Sequence, residues 1–80
     1  MSLIASVRHL AMYPASKLDP RTRVILAEDL THWMTEYNRI VATIGNKEGL
    51  AEFVAAFASD VADVKRCLAE LESVKNENGN

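Results

Sequence analysis

Eighty residues with an apolar share of 49% suffice for one small core and exclude a disordered chain. A domain this short buries only about 60% of its unfolded surface, so it depends on close packing, a staple or a partner. The net charge of −2 divides into five basic against four acidic residues over 1–40 and four against seven over 41–80, which disfavours a grip on duplex phosphates.

The first helix is expected over the stripe Leu3, Val7 and Leu10, with Ser2 as its N-cap. Pro14 ends it, because proline cannot donate to the helix ladder and pushes Tyr13 out of the helical region. Tyr13 itself is expected to join the core at that end. Asp19-Pro20 then reads as a helix start, with Asp at the N-cap and Pro at the first helical position. From there Leu26, Leu30, Trp33, Tyr37, Ile40 and Ile44 recur at helical spacing, and Ala27, Met34 and Val41 widen that face. Gly45 stands where a left-handed C-terminal cap belongs, and Asn46 can cap the next helix. A link this short folds the second and third helices back as an antiparallel hairpin.

The third helix is expected from about Lys47 to Lys75, with Gly49 marking a late start or a bend. Its apolar seam reads Leu50, Val54, Phe57, Val61, Val64, Leu68 and Leu71, three heptads without a break. Beside it runs a row of alanines, Ala51, Ala55, Ala58, Ala62 and Ala69, which lets a neighbouring backbone come close. The fold class is therefore all-α: a short N-terminal helix plus an antiparallel hairpin of two long helices. It closes either as a three-helix bundle or, by pairing hairpins, as a dimeric four-helix core. Residues 1–75 form the domain, and the apolar-free 76–80 are expected as a disordered tail.

Chemistry is thinly represented. Cys67 is the only cysteine, so no disulfide framework exists, and a reducing cytoplasmic setting is expected. No apolar run approaches the ~20 residues that span a bilayer, and Arg8 and His9 interrupt the first segment before a signal-peptide core forms. Glu28, His32 and Glu36 make a ladder on one helix face, but a metal site would need ligands from a second helix. Neither an enzyme nor a cofactor or metal centre is expected.

Candidate partner contacts are the aromatic Trp33 and Phe53, and the carboxylates Asp60 and Asp63 as an acidic docking strip. Lys17, Arg21 and Arg23 are the one basic cluster, near a helix N-terminus where a phosphate could sit. That cluster carries the alternative reading, a nucleic-acid-associated accessory protein, although nucleic acid remains the less favoured partner.

Over residues 3–30, an apolar helix ending in Tyr13-Pro14, then Leu18 and Thr22, then a helix carrying Asp29-Leu30, is similar to the opening of phage-encoded helicase-loader-like replication proteins. The resemblance implies a phage or mobile-element setting and a protein partner, such as a replicative helicase. It covers a third of the chain, carries no functional residue over, and has no counterpart for the alanine-rich third helix. The expected function is a small interaction module, an adaptor or inhibitor that binds a larger protein, a helicase or a host defence complex, and is itself a homodimer.

Overall fold

The computed structural model describes residues 4–78. Among them lie helix α1 (Ala5–Met12), a 3-10 turn (Ala15–Lys17), helix α2 (Pro20–Ile44) and helix α3 (Leu50–Asn78), with no strand. The expected Ser2 cap falls outside the described residues. The molecule is a slab of 46 × 24 × 15 Å, its length set by the hairpin of α2 and α3.

Ring contacts fix the direction of that hairpin. Tyr37 stacks on Phe53 with centroids 5.6 Å apart, and Trp33 meets Phe57 at 6.4 Å. Four residues back along α2 thus correspond to four residues forward along α3, the signature of antiparallel helices. The link is longer than the two residues expected. Gly45, at φ 60°, donates to the Val41 carbonyl at 3.0 Å, and α3 begins only at Leu50, after Gly49 at φ 101°. Both glycines hold conformations that a Cβ disfavours, which is why the chain reverses here. At the other end, α3 runs to Asn78, beyond the end expected at Lys75, since each added residue of a formed helix gains a backbone bond.

At the start of α2, Pro20 takes the first helical position, as expected. The Asp19 side chain does not cap the helix amides; it accepts a hydrogen bond from the Thr22 hydroxyl. The α1 and 3-10 segments lie against one end of the hairpin. There Ser6 Oγ donates to Asp29 Oδ2 at 2.5 Å, and the Ala15 amide donates to Glu70 Oε2 at 2.8 Å. Asp29 thereby marks the side of α2 that faces α1, and Glu70 the side of α3 that faces the 3-10 turn. Arg23 Nη1 donates to the Leu18 carbonyl at 2.6 Å and, more weakly, to that of Ala15 at 3.4 Å, tying the turn to α2.

The core gathers at this three-layered end: Val7 and Leu10 of α1, Ala15 of the turn, Leu26 and Leu30 of α2, and Val64, Cys67, Leu71 and Val74 of α3. Tyr13, expected in the core, is 51% exposed and rests on the His9 ring instead. Proline at position 14 turns the chain away before Tyr13 can face inward.

The seam of α3 needs a correction. Phe57, Val64 and Leu71 hold the expected spine, with Leu50 half-buried at its head. The flank buried at the closed end, however, is Asp60, Cys67 and Val74, each three residues after a spine position. Of the expected flank, Leu68 packs half-buried against the core, Val61 is half-buried, and Val54 is 40% exposed. The reason is the added layer of α1 and the 3-10 turn, both of which pack on α3, the turn on the side marked by Glu70. All five residues of the alanine row are exposed.

Candidate functional site

Beyond the reach of α1, the hairpin is only two helices thick, and its open side is aromatic. Phe53 and Phe57 stand one turn apart on α3 with centroids 4.9 Å apart, and Trp33 and Tyr37 stand one turn apart on α2, stacked at 5.6 Å. Their 3.6-residue spacing and the antiparallel register interleave them into one cluster of four rings, all half-buried. Ile40 and Glu36 complete the rim of a recess of about 130 Å³ against these rings. An apolar cavity near ~150 Å³ accommodates a benzene ring, so the recess has room for one apolar side chain.

The rim is charged. Glu36 Oε1 accepts from Arg39 Nη2 at 2.7 Å and Nε at 3.1 Å. The Arg39 hydrogen bond and its charge hold the Glu36 carboxyl below the usual range, and Arg39 is raised in turn. Within the ladder of Glu28, His32 and Glu36, the Glu36 carboxylate pairs forward with Arg39, and His32 acts on it only as the weakest of the influences. Among the described residues, no three His, Cys, Asp or Glu side chains converge as metal ligands, and no helix is long and apolar enough to cross a membrane.

The expected contact residues separate into three groups. Trp33 and Phe53, on different helices, are brought into the one aromatic cluster. Asp60 and Asp63 do not form an acidic strip: Asp60 is 7% exposed, because position 60 lies on the flank turned to α1, and Asp63 is half-buried with its Oδ1 3.3 Å from Arg66 Nη2. Of the basic cluster, Arg23 is engaged with backbone carbonyls, which leaves Lys17 and Arg21 as its exposed members.

Cys67 is fully buried, and that burial pushes its thiol above the ordinary value. It is a packing residue with no histidine beside it in sequence.

On the face opposite α1, a second and larger opening runs between the long helices near their α1 end. Val24, Ala27 and Thr31 of α2 and Leu68 and Leu71 of α3 line a groove of about 780 Å³, with Glu28 and Glu72 at its edges. The sequence reading missed this groove because its α3 wall had been assigned to the core. Its signal was present in Val24, an apolar residue outside the α2 stripe. No protein family, curated protein or solved structure matches the chain.

Proposed function

We propose that this protein is a non-enzymatic interaction module of the cytoplasm that binds a larger protein through its two-helix end. The observation that carries the reading is the four-ring cluster with its side-chain-sized recess, left open where α1 stops. Trp and Tyr supply much of the energy of protein interfaces, in pockets near the centre of the contact, ringed by polar groups that exclude water. Here the rings are already stacked on one another, so little side-chain freedom is lost on binding.

The occupant that fits is a partner helix offering one aliphatic or aromatic side chain to the recess, with a polar rim to meet Glu36 and Arg39. The resemblance of residues 3–30 to helicase-loader-like proteins favours a replication helicase as that partner, with a host defence complex as the other class. The nucleic-acid alternative finds less support, since Arg23 serves the fold.

Ile40 sits at the rim and is 36% exposed, so Ile40→Lys should leave the helices intact. Affinity capture from the source cell should enrich one larger protein with the native chain and lose it with this variant. Capture of nothing, or capture indifferent to Ile40→Lys, overturns the reading. Retention of DNA that weakens steeply between two salt concentrations would favour the alternative.

A further inference from the structure

The recess at the open end selects by charge as well as by shape. Trp33 and Tyr37 lie within 7° of parallel, Tyr37 and Phe53 within 19°, with centroids 5.6 Å apart in each case, so the three rings make one offset-stacked wall. Phe57 crosses Trp33 at 58° and Tyr37 at 65°, which makes it a second wall, steeply inclined to the first. Aromatic faces carry the negative part of the ring quadrupole, and the indole face is the strongest. Glu36 stands at the same recess. Arg39 takes its Oε1, and among the described residues its Oε2 has no hydrogen-bond partner. Arg39 also keeps that carboxyl in its charged form, without lining the recess itself.

Two aromatic walls and a carboxylate around about 130 Å³ favour an occupant that is compact, positive and apolar at its surface. A bare ammonium is held too strongly by water, whereas N-methyl groups cover the charge with an apolar skin. A trimethylammonium head has about the bulk of a benzene ring, which a cavity near ~150 Å³ holds. We propose that this recess binds a small quaternary ammonium ion of choline type, seated against Trp33, Tyr37 and Phe57 with Glu36 as counter-ion. The ion takes the place open to a partner's side chain, so the two compete. The proposal does not rest on the protein partner: the purified chain alone decides it, and either reading can fail without the other.

A proton NMR titration of choline against the purified chain, at constant ionic strength, reads the site through the ligand's methyl signal. That signal should move upfield and saturate, because ring faces shield what lies over them. The neutral isostere, with a tert-butyl group in place of the trimethylammonium head, should bind at least ~5-fold more weakly, since it has the shape without the charge. Glu36→Gln preserves the side-chain shape and should weaken choline about 3-fold while leaving the isostere unchanged. Trp33→Leu, checked for native helicity, should abolish the shift. The proposal is overturned by a native chain that gives no saturable shift, by an isostere that binds as tightly as choline, or by native choline affinity in Glu36→Gln or Trp33→Leu.

Discussion

The two ends of the hairpin are made from the same pair of helices and differ in what lies beside them. At one end α1 and the 3-10 turn add a third layer; Leu30, Val64 and Cys67 lose all exposure, and Ser6, Asp29, Glu70 and Arg23 bond the layers together. At the other end no element among the described residues adds a third layer, and four aromatic rings stay half-buried although they are the largest apolar side chains of the hairpin. Size therefore does not decide burial here; the number of neighbouring elements does. The three-layered end holds the fold, and the two-layered end leaves its rings open.

The largest expected effect separates the ends at once. Leu30→Ala empties a fully buried site and should cost about 3–4 kcal/mol, a large part of the stability of a domain this small, read as a fall in the urea midpoint. At the open end Phe53→Ala removes a half-buried ring with two ring neighbours and should cost only about 1–2 kcal/mol in the same titration. If Phe53→Ala matched Leu30→Ala, the two ends would be equally structural.

Smaller effects sharpen the contrast. Ser6→Ala deletes the Ser6–Asp29 bond that fastens α1 and should cost about 1 kcal/mol. The pH dependence should carry the mark of Cys67. Its thiol is raised by burial in the folded chain, so its contribution is fully present below the unfolded value near ~8.5 and is lost as pH rises above it. Cys67→Ala should flatten that alkaline decline in a thermal-melt series. Arg39→Ala, which removes an exposed ion pair at the open end, should shift the melt least of all.

Much of this was legible in the residues. Pro14, Asp19-Pro20 and Gly45 punctuate the chain where the helices stop and start, and the α2 stripe from Leu26 to Ile44 faces inward as its spacing implies, with Ile40 at the edge. The spine Phe57, Val64 and Leu71 was legible too, but not its flank. Positions three and four residues from a spine lie on its two sides, and both satisfy a heptad. Val54, Val61 and Leu68 are the more apolar choice, while the true flank contains Asp60 and Cys67 and is selected by α1. The bonds that seat α1 span 23 and 55 residues, from Ser6 to Asp29 and from Ala15 to Glu70, and no local pattern announces them. The aromatic cluster fell between these cases: Trp33 and Phe53 were singled out separately, and only the register of the hairpin joins them.

Hydrogen exchange at about 1 µM, dilute enough to disfavour association, tests the contrast between the ends most directly. Amides of Leu26 to Leu30 and Val64 to Leu71 should exchange at least ~10-fold more slowly than those of Tyr37 to Val41 and Phe53 to Phe57, because the closed end opens only with the whole fold. Equal protection along both long helices, or greater protection at the aromatic end, would contradict the division of the molecule into a closed base and an open aromatic tip.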